Sequence, residues 1–114
     1  MANTFKVVTK AGVTSADVIY TVAGSTTTVI LGLVLGNTTS SQTTATVTLE
    51  SNTGSRAGAN NENNQDVELI TNAPIPAGSS LELLAGNKVV METTDVLKVT
   101  GSGATDVCLS IMEI

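Results

Sequence analysis

Thr43-Thr44-Ala45-Thr46-Val47-Thr48-Leu49-Glu50 alternates without a break. Ala45, Val47 and Leu49 fall on one side of an extended chain, and Thr44, Thr46, Thr48 and Glu50 on the other. A period of two belongs to a strand with one face on a core and one in water. β-Branched Thr and Val also pack well on a pleated surface, so residue type and period agree. Working outward, similar short runs occupy residues 4–9, 17–22, 26–35, 67–71, 80–84, 88–92, 96–100 and 106–113. Clusters of Gly, Pro, Asn and Ser separate them at intervals of roughly eight to twelve residues, the spacing of sandwiches and small barrels. This pattern predicts an all-β chain of about eight or nine strands. The expected architecture is a two-sheet antiparallel β-sandwich, jelly-roll or Ig-like, forming a single domain over residues 1–114.

Two helical readings yield to this one. Ser79-Ser80-Leu81-Glu82 spells a capping box, but Gly86 and Asn87 follow closely, and Leu81 and Leu83 around Glu82 repeat at period two. Thr14-Ser15-Ala16-Asp17 admits a single helical turn, with strand the expected state through Tyr20. Ala73-Pro74-Ile75-Pro76-Ala77-Gly78 cannot lie in a central ladder, because proline has no N–H to donate. Strict alternation places Val18, Tyr20, Leu31, Leu33, Val47, Leu49 and Leu69 in the core. Leu81, Leu83, Val89, Leu97, Val99, Leu109 and Ile111 join them on the same argument.

Composition excludes several function classes. The chain has 114 residues, a net charge of −5, one Cys and no His. A disulfide framework within the chain, a Cys/His zinc site and an imidazole base are therefore impossible. Phe5 and Tyr20 are the aromatics, and Lys plus Arg number five, too few for a basic groove with stacking platforms. No nucleic acid is expected as partner. The longest apolar run, residues 29–35, falls short of the ~20 residues a helix needs to span a bilayer, so no membrane partner is expected either.

Individual motifs carry little chemistry. Cys108 has no His to activate it and no Lys or Arg close in sequence, so it reads as a buried or half-buried structural residue. Glu92 and Asp95 flank a turn, and Asp66 and Glu68 share a strand face. Such pairs do acid–base work only where a cleft separates their pKa values, and at strand ends they are commonly solvated. Asn60-Asn61-Glu62-Asn63-Asn64-Gln65-Asp66 offers side-chain oxygens without the register of a calcium loop. Gly101-Ser102-Gly103-Ala104-Thr105-Asp106 lacks a third glycine and a following helix, so it is not a dinucleotide fingerprint. No catalytic residue, metal ligand or cofactor is expected, and the chain reads as a non-enzyme.

The informative run is Val29-Ile30-Leu31-Gly32-Leu33-Val34-Leu35. Alternation sets Val29, Leu31, Leu33 and Leu35 on one face and Ile30, Gly32, Val34 and Gly36 on the other, and both faces are apolar. An antiparallel sandwich normally shows water one polar face. Ile30, Gly32 and Val34 are therefore candidate interface residues, covered by another subunit or by residues 51–66 folding back. That sixteen-residue polar stretch is the one long loop expected, and its Arg56, Asn60, Asn61 and Asn63 are further candidate contacts.

The ordered set Val29-Ile30-Leu31-Gly32-Leu33-Val34-Leu35-Gly36-Asn37, Ala73-Pro74-Ile75-Pro76-Ala77-Gly78-Ser79-Ser80-Leu81-Glu82-Leu83, Asp95-Val96-Leu97-Lys98-Val99-Thr100 and Leu109-Ser110-Ile111-Met112-Glu113-Ile114 resembles small virion structural proteins of tailed phages, cyanophages included. The resemblance spans nearly the whole chain. It implies a sandwich that decorates or joins parts of the particle, with no catalytic residues. The expected function is a capsid decoration or cement protein acting as a homo-oligomer. Its partners would be itself and other virion proteins such as the major capsid protein. A neck, tail or fibre-attachment component is the alternative within that class, and a carbohydrate-binding module the alternative outside it. Aromatic poverty argues against the latter. Met1-Ala2-Asn3-Thr4-Phe5-Lys6 has no apolar signal core, which fits a protein made in the host cytoplasm and placed in the virion.

Overall fold

A computed structural model describes residues 3–52, 65–83 and 88–114. The strands among them are β1 (Thr4–Val13), β2 (Asp17–Thr21), β3 (Thr28–Asn37), β4 (Thr43–Ser51), β5 (Gln65–Ile75), β6 (Ser80–Leu83), β7 (Val89–Met91), β8 (Val96–Gly101) and β9 (Thr105–Glu113). One sheet has the order β1-β9-β3-β6, with β7 also on β3, and the other the order β2-β8-β4-β5. All pairings are antiparallel. These orders, with β7 as a fifth strand on the first sheet, are those of a jelly roll, one of the two arrangements expected from the sequence. β6 and β7 share one edge in tandem, β6 pairing with Leu33–Gly36 and β7 with Thr28–Ile30 of β3. Residues 51–66 are not wholly loop, because Ser51 ends β4 and Gln65 and Asp66 begin β5.

The core lies between the layers. Leu33, Val47, Leu49, Leu97, Val99, Leu109 and Ile111 are buried there as expected, while Tyr20, Leu69, Leu81, Leu83 and Val89 are half-buried against it. Two positions reverse. Val18 is exposed and Ile19 buried, and Leu31 is half-buried on the outside while Ile30 is fully buried. Both reversals have one cause. The register slips between Val18 and Tyr20 against β8, and between Ile30 and Gly32 against β9. Each slip is a β-bulge, and one extra residue exchanges the faces of everything beyond it. In β3 the inward set is thus Thr28 and Ile30 before the bulge, and Leu33, Leu35 and Asn37 after it.

Polar side chains close the two ends of the sandwich. The Asn37 amide donates to the carbonyls of Ser41 (2.8 Å) and Ile75 (2.9 Å), and its oxygen accepts from the Thr39 N–H (2.9 Å). Asp95, fully buried rather than solvated, accepts from the backbone N–H of Asn52 (2.8 Å) and of Glu92 (3.0 Å). Burial of a carboxylate requires such donors.

Candidate interaction surface

The outward faces of the two layers differ in chemistry. On the β2-β8-β4-β5 sheet the exterior of the central strands carries Thr44, Thr46, Thr48 and Glu50 from β4, with Val96, Lys98 and Thr100 from β8. Lys98 pairs there with Glu50, and their side chains are 29% and 23% exposed. That pairing holds the Glu50 carboxyl below its ordinary value, chiefly through the hydrogen bond from Lys98, and raises Lys98 in turn. The central strands of this face are dressed for water, with Val18 of β2 exposed at its edge.

The exterior of the β1-β9-β3 sheet is not. Strand register sets its side chains in rows. Phe5, Met112, Val29 and Val90 form the first, across β1, β9, β3 and β7. Val7, Ser110 and Gly32 form the second. Thr9, Cys108, Val34 and Glu82 form the third, ending on β6. Phe5 is 71% exposed, Val7 61%, Val90 49% and Val34 39%. The bulge adds Leu31 to this side. Two shallow grooves cross the face: one of about 370 Å³ past Ala11, Val34 and Cys108, and one of about 280 Å³ past Phe5, Leu31 and Ser110. A Cβ placed on Gly32 would meet nothing within 4 Å, so the surface is open there. Cys108 is exposed in this face rather than buried or half-buried, because nothing among the described residues covers its side of β9.

A clasp borders the patch. The Lys6 ammonium lies 2.7 Å from the Glu113 carboxylate, which also accepts from the Tyr20 hydroxyl. Tyr20 stands 3.1 Å from the Thr28 hydroxyl as well, so the cluster ties β2 of one layer to β1, β3 and β9 of the other. Lys6 first and Tyr20 second hold the Glu113 carboxyl below its ordinary value. Burial and the bond to Glu113 push the Tyr20 hydroxyl up. Each group stays in the form the clasp needs, a charged carboxylate and a protonated phenol. The Tyr20 ring itself is half-buried against the core.

Of the candidate interface residues, Gly32 and Val34 lie on the apolar exterior. Ile30 does not. It is completely buried in the core, because the bulge follows it and turns it inward. Arg56, Asn60, Asn61 and Asn63 lie outside the described residues. Phe5, Val7, Val90 and Met112 complete the surface and were not foreseen. Their alternation was legible, but which strands lie side by side was not. Among the described residues no three acidic or Cys side chains are grouped to hold a metal ion.

No protein-family model matches the chain, and no curated protein does. Among solved structures it is similar to a chain from Bacillus endospore appendages, described as a novel family of disulfide-linked pili. The two are 16% identical with a TM-score of 0.45, over 97% of this chain and 85% of that one. A likeness of this degree carries nothing about function.

Proposed function

We propose that this chain is a non-enzymatic structural subunit that works by protein–protein contact through the exterior of its β1-β9-β3 sheet. One observation supports the reading: two outward sheet faces on one small domain, one Thr-rich with an ion pair, the other apolar across three strands. A monomer in water has reason to avoid a contiguous apolar patch of that kind, whereas an assembly subunit has a use for it. The jelly roll itself does not choose, since capsid and lectin domains share it.

The finer reading comes from the sequence resemblance: a decoration or cement protein of a tailed-phage particle, with neck, tail or fibre attachment as the alternative location. Co-sedimentation with intact particles tests it. A head protein is expected at on the order of hundreds of copies per particle, and a neck or tail component at about a dozen or fewer. Absence from purified particles overturns the virion reading. Retention on a glycan column, released by free sugar, would favour the carbohydrate-binding reading instead.

A further inference from the structure

We infer that the apolar exterior of the β1-β9-β3 sheet is a two-fold contact with a second copy of this chain, the sheets packed face to face. The inference rests on the reading of that face as an assembly contact and names its first partner.

The rows on the face are the reason. A two-fold axis lying along the strands, between β9 and β3, lays β9 of one copy over β3 of the other. It also lays β1 of each copy over the β6 and β7 edge of the other. Under that rotation Phe5 meets Val90 of the second copy, and Met112 meets Val29, so the first row is apolar against apolar. The second row brings Ser110 over Gly32, small against small at the open part of the surface. The third row lays Cys108 over Val34, with Thr9 at the β1 edge opposite Glu82 at the β6 edge. A surface that complements itself about one axis is what an isologous dimer requires.

The size fits too. Four strands about 4.8 Å apart, and about eight residues at roughly 3.4 Å each, give a flat face of roughly 500 Å² before side-chain relief. Interfaces of standard size bury about 800 Å² per partner, and weak ones less than about 600 Å². A reversible, concentration-dependent dimer follows. Aligned packing of two sheets about 10 Å apart would bury Phe5 and Val34 without moving either backbone.

Sedimentation velocity of the full chain, from about 1 to 200 µM, tests this alongside alkylation of Cys108, the single thiol. The expected result is a dimer at the upper concentrations and Cys108 alkylation that slows as concentration rises. Phe5→Asp and Val34→Asp should each keep the circular dichroism of the parent and weaken association at least about tenfold, restoring fast alkylation. Thr48→Asp, on the opposite face, should associate like the parent. Should Val34→Asp unfold, Phe5→Asp decides, since its side chain lies mostly in water in the isolated subunit. A monomer at every concentration overturns the inference, as does a dimer that survives both substitutions. Slow alkylation of Cys108 in a proven monomer also overturns it, by making the chain's own residues the cover. A monomer that nonetheless binds particles defeats the dimer and leaves the structural role standing. A dimer absent from particles does the reverse.

Discussion

Ile30 and Val34 are four residues apart on one strand and belong to different environments. Ile30 is fully buried between the layers, and Val34 is 39% exposed on the outside. Truncation separates them. Ile30→Ala leaves a cavity in a close-packed interior and is expected to cost about 2–5 kcal/mol, as is Leu109→Ala on the neighbouring strand. Val34→Ala removes partly solvated methyls and should cost well under about 1 kcal/mol in the isolated subunit. Urea unfolding of the three variants checks the facing of β3 directly. Equal losses at Ile30 and Val34 would mean that both sides of the strand are covered within one chain.

At the scale of the element, the bulge in β3 decides which residues reach the core. Leu31 is the extra residue between Ile30 and Gly32, which pair with Ile111 and Ser110 of β9. Deleting Leu31 restores strict alternation with both flanks in their present register, because Ile30 and Leu33 then stand two positions apart and face the same way. Thr28, Ile30, Leu33 and Leu35 all keep their places in the core. The expected loss is therefore small, about 1–2 kcal/mol, and unfolding stays cooperative. Leu31→Ala keeps the bulge and loses one half-buried side chain, at about 1 kcal/mol. Thermal melts of the two variants, read by circular dichroism, check this: midpoints close to one another mean that the deletion keeps the flanking register, and loss of the transition means that it does not. At the other end of the sandwich, Gly101 is needed for space: a Cβ there would lie 2.6 Å from the Val13 carbonyl oxygen and 2.8 Å from the Thr105 hydroxyl.

For the whole molecule, two ion pairs make stability depend on pH. The Glu113 and Glu50 carboxyls are held below their ordinary 4.5 by Lys6 and Lys98 respectively. A depressed carboxyl pKa contributes stability that is present above the unfolded value and is lost as pH falls through the folded one. Unfolding midpoints should therefore fall as pH drops below about 4.5. Glu113→Gln should flatten part of that slope, and added salt should flatten more, because both pairs are partly exposed. Tyr20 acts at the other limit. Its hydroxyl is raised above 10.0, so its contribution is present below pH 10 and is lost as pH rises through the folded value. Denaturation midpoints measured across both limits, for the parent and for Glu113→Gln and Tyr20→Phe, test the two arms separately.

Strand identity was determined by the sequence alone. Alternation in Ala45, Val47 and Leu49, or in Val107, Leu109 and Ile111, is a local property that requires no partner, and those residues are buried as their period demands. Turn residues delimit the strands for the same local reason. An apolar exterior was also legible, in the residues of β3 that have no polar side to show. Tertiary structure alone decided the phase of β2 and β3, because a bulge is defined against the strand opposite. It decided that Val18 and Leu31 face outward, and Ile19 and Ile30 inward. It buried Asp95, whose donors Asn52 and Glu92 come from the β4 end and from its own turn. It also placed Phe5, Val90, Cys108 and Val34 on one surface, through pairings that join positions as far apart as the two ends of the chain. Local period is written in neighbouring residues, and the face that a residue shares is set by strands distant in sequence.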